Sequence, residues 1–520
     1  MTGMPGGLGL LALLKPEVTF GDWVWVTAPF GVYFGIVILL TAFGRYEGET
    51  MNPLRIWFGR ISNALRRSTG YPGWAMAGGL TGLFALALAA MGAYWDIAWH
   101  VDLGRDESLL TPPHMLILLG LGGLMFSALL AVIFASFDEA DTGARIGSVR
   151  IPWSAMGLYA LGVGGVIAFP LDALWHDAYG IDVTLWSPTH LLLLASGSLA
   201  TIAVWLMIAE ARPLARPTPL GKVIQVVTAA ATLTGLSTFQ AEFDFGVPAF
   251  QVVYLPMLIG IAAGFTLVLA RLAIGRFGAL WAAIGFVVLR LAIVGMLGSL
   301  DHSLTRFPLY LPAAVAVEAV AWKLGTTRVL RFAVVSGLAA AVVGIVGESI
   351  WAQASGWYSP SGSTTLLIKV ALLTPAVAIA GAVIAAGLAR AFTGTRVRSG
   401  ALAGAGLVLL AAMAYPLPRS VGNVEAIVRL RPAETAGQSF VDVELVPADA
   451  ADNANAFGAL SWQGGGRHGA ELQPTGEPGR FSTSRALPVG GDWKTVVGLQ
   501  RGNEVMALAV ALPADPEIGA

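Results

Sequence analysis

Two short segments hold most of the side chains in this sequence that could do chemistry. Residues 95–114 contain Asp96, His100 and His114, and residues 171–190 contain Asp172, His176 and His190. Aligned without gaps at an offset of 76 residues, these three pairs match, as do Trp99 with Trp175, Gly104 with Gly180, Asp106 with Asp182 and Pro112 with Pro188. Four of the six histidines in the chain therefore occupy equivalent places in an internal duplication. A carboxylate and two imidazoles form a ligand set for copper, iron(II) or zinc, with positions left for water, oxygen or substrate. The chain has no cysteine, which excludes disulfides, thiolate zinc, blue copper and iron–sulfur clusters. A single membrane histidine is more commonly a packing partner than a ligand. The repetition of the whole set is what favours metal.

The spacing says which elements must hold these groups. Asp96 and His100 are four apart, as are Asp172 and His176, so each pair shares one face at the end of a helix. Thr111-Pro112 and Ser187-Pro188 read as an N-cap followed by proline at the first helical position. His114 and His190 then fall in the first turn of the next helix, level with the preceding pair. Arg105, Asp106 and Asp182 lie in the connecting loops, where they suit either outer hydrogen bonds to the ligands or a solvated loop. The tryptophans between the ligands read as aromatic anchors at the membrane interface.

The rest of the chain supplies the frame. Of 520 residues, 56% are hydrophobic and only 12% charged. Apolar runs of about 20 residues recur through the first 415 positions, which excludes an ordinary soluble enzyme. The net charge of −1 and the lack of a basic block give no nucleic-acid footprint. About twelve spans are expected, at 24–44, 74–99, 114–136, 153–175, 189–209, 222–242, 250–270, 275–299, 307–322, 330–351, 365–390 and 401–416. Connections after odd-numbered spans carry Arg55, Arg60, Arg66, Arg67, Arg145, Arg150 and further basic residues, whereas those after even-numbered spans carry only Arg105 and Arg306. The positive-inside rule then puts residues 1–23, both candidate sites and the C-terminus outside.

The expected architecture is an all-α polytopic membrane bundle over 24–416, with duplicated hairpins at 90–136 and 166–210. Residues 420–520 change character, with short alternating strands between Gly, Pro, Asn and Asp clusters, and read as an extracytoplasmic β-sandwich. Arg290, Glu318, Glu348 and Lys369 fall within or near later spans and read as paired or snorkelling groups. Glu242, Asp244, Asp301 and His302 keep no complete triad, so no metal is assigned to them.

The first segment resembles a membrane-embedded component of the copper membrane monooxygenases, the particulate methane and ammonia monooxygenases. The resemblance rests on Asp96, Trp99-His100, Arg105-Asp106 and Pro113-His114. It implies copper held by Asp96, His100 and His114. A second copper set of that family begins with Asn, and its counterpart here is Asp172, His176 and His190. The resemblance covers roughly residues 90–195. It implies a monooxygenase-like oxidoreductase of a bacterial plasma membrane, acting on a small apolar substrate or ammonia, alone or with partner subunits in a homo- or hetero-oligomer. About seven further spans and the fused external domain depart from the family's pattern. A non-catalytic copper-handling protein and an ion- or proton-coupled transporter are the competing expectations.

Overall fold

The computed structural model describes residues 53–102, 110–179, 185–213, 217–246, 252–356, 364–392, 399–414, 420–454, 456–463, 466–490, 493–501 and 504–510, with four isolated positions before them. The first expected span, 24–44, lies almost wholly outside them. The described helices are α1 (Pro53–Thr69), α2 (Gly73–Asp102), α3 (Pro112–Phe137), α4 (Trp153–Tyr179), α5 (Pro188–Ala211) and α6 (Pro219–Asp244). They continue with α7 (Tyr254–Ala273), α8 (Gly278–Ser299), α9 (Leu311–Leu324), α10 (Val329–Ser355), α11 (Thr364–Phe392) and α12 (Ser399–Ala414). Among the described residues, nine helices are long and apolar enough to cross a bilayer: α2 to α8, α10 and α11. The remaining two expected spans are shorter helices, α9 and α12. Exposed apolar side chains such as Leu291, Trp322, Leu372 and Leu410 present lipid-compatible faces.

Helix α1 corrects one expectation. Its residues were expected in a basic connection, yet they form an amphipathic helix. Ile61 and Leu65 are buried, and Phe58 meets the Phe134 ring edge-on at 5.0 Å and stacks on Phe137 at 4.8 Å. Arg60, Arg66 and Arg67 are exposed. A two-stranded hairpin, β1 (Ala144–Ile146) and β2 (Val149–Ile151), links α3 to α4 at the same arginine-rich end.

The α2–α3 hairpin is packed backbone to backbone. A Cβ on Gly120 would lie 2.6 Å from the Ala89 amide nitrogen and 2.7 Å from the Ala85 carbonyl oxygen. A Cβ on Gly92 would lie 2.8 Å from the Ile117 nitrogen. Small residues permit this approach, the usual device of membrane helix pairs. Similar contacts bring α7 against α11, where a Cβ on Gly264 would meet the Ala378 carbonyl at 2.2 Å.

The C-terminal domain is an antiparallel half-barrel instead of two separate stacked sheets. Its strands are β3 (Glu425–Pro432), β4 (Gln438–Val446), β5 (Ala456–Gln463), β6 (Gly466–Pro474), β7 (Arg480–Thr483), β8 (Leu487–Pro488), β9 (Lys494–Arg501) and β10 (Glu504–Val510). They run β10-β9-β5-β6-β7-β4-β3, with β8 paired to β4. Alternate residues Val441, Val443 and Leu445 of β4 share one core with Val497 and Leu499 of β9, so the sheet curls over its own inner face. Phe457 and Phe481 meet at 4.9 Å from strands that flank β6.

Candidate metal centre

The expected hairpin geometry is present at the first copy. Asp96 and His100 occupy the last two turns of α2, and His114 is the third residue of α3, whose first two residues are Pro112 and Pro113. Asp96, His100 and His114 each offer one ligand atom, all within 4.8 Å of one another. Asp96 Oδ1 lies 2.9 Å from His114 Nε2 and 3.6 Å from His100 Nε2. Bonds of about 2.0–2.2 Å place ligand atoms roughly 3 Å apart around a cation, so the Asp96–His114 contact already fits and His100 must move closer to both.

Burial supports the same reading. Asp96 Oδ1 is buried with two imidazole nitrogens facing it, that of His114 at hydrogen-bond distance. A buried carboxylate needs a donor or a positive charge beside it, which a protonated imidazole or a bound cation supplies. The Asp96 and His114 side chains are 19% and 15% exposed, whereas His100 is 42% exposed, so the open side of the set is at His100. Phe169 meets the His114 ring edge-on at 5.5 Å and walls the opposite side.

The second copy is brought together in part. Asp172 Oδ2 lies 3.4 Å from His190 Nε2. His176 is in α4, but its side chain lies outside the described residues, as do Arg105, Asp106 and Asp182 altogether. One difference between the copies has a direct effect. The position of Pro113 is taken by Thr189, whose hydroxyl donates to Asp172 Oδ1 at 2.5 Å. The first carboxylate has no such donor. His190 is within Coulomb range of Asp96, so the two copies are neighbours.

The caps differ too. Ser187 Oγ accepts from the His190 amide at 3.3 Å, as expected, whereas Thr111 holds the N-cap position without a side-chain hydrogen bond. The tryptophan expectation is corrected. Trp95 and Trp99 are 0% and 2% exposed and pack in the core with Tyr94 and Leu297, which no interfacial anchor would do.

Several groups around the site were not assigned to it from sequence. Asp102, at the end of α2, receives His302 Nδ1 at 2.9 Å, the Ser303 amide at 2.7 Å and the Ser303 hydroxyl at 2.5 Å. The ring of His302 stands 5.8 Å from Trp99. From the half-barrel, Lys494 Nζ donates to the His100 carbonyl oxygen. Burial pushes the Lys494 ammonium down to about 8, against the opposing pull of Asp102. The one available signal lay in the duplication: Asp102 aligns with Ala178, so it belongs to the first copy alone.

Three of the later charged groups, Arg290, Glu318 and Glu348, have partners. Arg290, fully buried, meets Asp244 at 2.8 Å and lies over the Tyr94 ring at 4.1 Å. Glu242 accepts from the Leu185 amide at 2.6 Å, tying α6 to the turn before His190. Glu318 pairs with Arg271 at 2.9 Å, and Glu348 accepts from the amides of Leu309 and Tyr310.

The chain matches no family model, no curated protein and no solved structure.

Proposed function

We propose that this chain is a multi-pass membrane metalloprotein whose centre is Asp96, His100 and His114, and that the metal is copper in an oxidoreductase of the monooxygenase type. The observation that carries the metal reading is the convergence of three candidate ligand atoms, all within 4.8 Å of one another, around a buried carboxylate oxygen. The choice of copper and of oxidation rests on the resemblance of residues 96–114 to the copper membrane monooxygenases. Two imidazoles and a carboxylate also suit iron(II) and zinc.

Each residue has a distinct part. Asp96 supplies the negative charge that holds a cation in a dry surrounding, and His114 is fixed against it by the proline-led start of α3. His100, the most exposed of the three, borders the side from which a small molecule enters. Copper bound there would supply one-electron chemistry toward dioxygen. Phe169 beside His114 excludes water and favours an apolar substrate. Asp172 and His190 form a supporting second set, weakened as a metal site by the Thr189 hydrogen bond. The arginine distribution supports a bacterial plasma membrane with the site end and the half-barrel outside. Partner subunits are part of this reading, as in the family resembled.

The test is metal analysis of the native complex with and without His114→Ala, followed by oxygen consumption and isotope incorporation from labelled dioxygen into alkanes, alkenes or ammonia. Equal copper, iron and zinc in both proteins overturns the metal centre. Copper that is bound and passed to an acceptor, with no oxidation of any substrate, replaces the enzyme with a copper-handling protein.

A further inference from the structure

The C-terminal half-barrel touches the helices at an informative place. The Lys494 ammonium, the first residue of β9, donates to the backbone carbonyl of His100, 394 positions earlier in the chain. That carbonyl lies in the last turn of α2, where backbone acceptors have run out of intrahelical donors and the helix dipole favours a cation. Two residues on, Asp102 adds a negative charge within range of the same ammonium. Asp102 is itself held by His302 and Ser303 from the α8–α9 connection. The end of α2 is thus clamped from two sides, by the bundle through Asp102 and by the half-barrel through Lys494. Beside Lys494, the Trp493 ring meets His468 of β6 at 5.3 Å, which stiffens the corner of the sheet that reaches the helix.

The geometry points to the half-barrel as a latch on the Asp96 centre, with Lys494 the positioning residue that couples domain docking to metal binding. This deepens the metal reading above and rests on it. The last turn of α2 carries His100, the most exposed of the three ligands and the one whose donor must close furthest on Asp96. Holding its carbonyl holds its side chain. Metal binding pulls the same turn toward Asp96 and His114 and keeps the acceptor in place for Lys494. Such a linkage is reciprocal: what docking adds to metal affinity, metal adds to docking.

The absence of cysteine makes the test clean. Spin labels on Glu434→Cys in the half-barrel and Leu304→Cys beside α8, both exposed positions, report the distance between domain and bundle. The full chain in lipid nanodiscs is compared as otherwise native protein, Lys494→Met and Lys494→Arg, each loaded with copper(I), which is silent to the spin labels, or stripped with a chelator. The native metal-loaded protein gives one narrow distance distribution that broadens on stripping. Lys494→Met is broad even when loaded and loses copper to the chelator about tenfold faster, the scale of an outer-shell ligand defect. Lys494→Arg, which keeps a cation and a donor, restores both readouts. A Lys494→Met protein with native distances and native copper loss overturns the latch, while the copper lost in His114→Ala leaves the metal reading standing. A native protein holding no more copper than His114→Ala overturns the metal reading, and the coupling with it.

Discussion

The approach of α2 and α3 is what sets the distance between Asp96 and His114, and Gly120 tests it. A Cβ at Gly120 would lie 2.6 Å from the Ala89 nitrogen, against the 3.4 Å at which ordinary contact begins. The nearest atoms are the Ala89 nitrogen, the Ala85 carbonyl oxygen and the Ala89 Cβ, none of which can swing aside. Gly120→Ala must separate the helices by about 0.8 Å at that level. Gly120 is six residues beyond His114 and Gly92 four before Asp96, so the contact zone lies about 6–9 Å below the site along the helices. Ligand distances tolerate only about 0.2 Å. A shift transmitted even in half would loosen one of the three bonds.

The two opposing effects on stability are small. Overpacking costs about 1–3 kcal/mol, and replacing glycine by alanine in a helix returns about 1 kcal/mol. Gly120→Ala therefore folds, but with a displaced hairpin. Metal affinity, measured by competition with a chelator of known strength, should fall by at least about tenfold. Gly122→Ala is the control, since its Cβ would meet nothing within 4 Å. Folded Gly120→Ala with native affinity would refute the argument that backbone contact sets the site. So would an equal loss in Gly122→Ala.

Three further outcomes are expected. Asp244→Ala strands the fully buried Arg290 and should cost about 3–5 kcal/mol, read by thermal unfolding in nanodiscs; adding Arg290→Met should recover most of it, and an unchanged double variant would show that the loss was not electrostatic. In the half-barrel, burial pushes the Asp442 carboxyl up, but hydrogen bonds from Arg431 and Ser482 and the Arg431 charge together hold it below its usual value. Its contribution is present above the ordinary carboxylate range and lost as pH falls through the lower folded-state value. The half-barrel of Asp442→Asn should therefore lose less stability than the native one on acidification from pH 5 to about pH 3; equal loss counts against the assignment. Thr189→Val removes the donor on Asp172 Oδ1, so in a His114→Ala background it should raise bound metal, and unchanged metal would clear Thr189 of restraining the second set.

The sequence made the frame legible because membrane spans are written in composition. Every apolar run expected after residue 70 coincides with a described helix. The clustering of Asp96, His100 and His114 was legible because they are local to one hairpin, where helical periodicity and a proline-led N-terminus suffice. Helix α1 was not, since its arginines resemble those of a solvated loop until Phe58 is seen against Phe134. Alternation in β4 and β9 revealed strands, but it cannot say whether strands belong to one curled sheet or two. Trp95 and Trp99 look like interface anchors until neighbours cover them. The bonds from His302 to Asp102 and from Lys494 to His100 join residues 200 and 394 positions apart, and such contacts have no periodic signature.

The duplication also explains why two similar hairpins need not share one task. Both place a carboxylate at a helix end and a histidine at the third position of the next helix. Three of the aligned positions at which they differ bear on the site. Pro113 against Thr189 decides whether a neighbouring hydroxyl donates to the carboxylate. Asp102 against Ala178 decides whether the helix end is clamped to the rest of the bundle. Tyr94 against Pro170 decides whether the preceding turn keeps its backbone ladder, since Pro170 lies inside α4 and cannot donate. All three differences favour the first copy as the rigid, cation-ready site. The second copy has a partly satisfied carboxylate and a helix interrupted just before it, yet His190 acts on Asp96 through space. On the proposed reading, duplication followed by such changes leaves one centre held firmly beside a second carboxylate–histidine set.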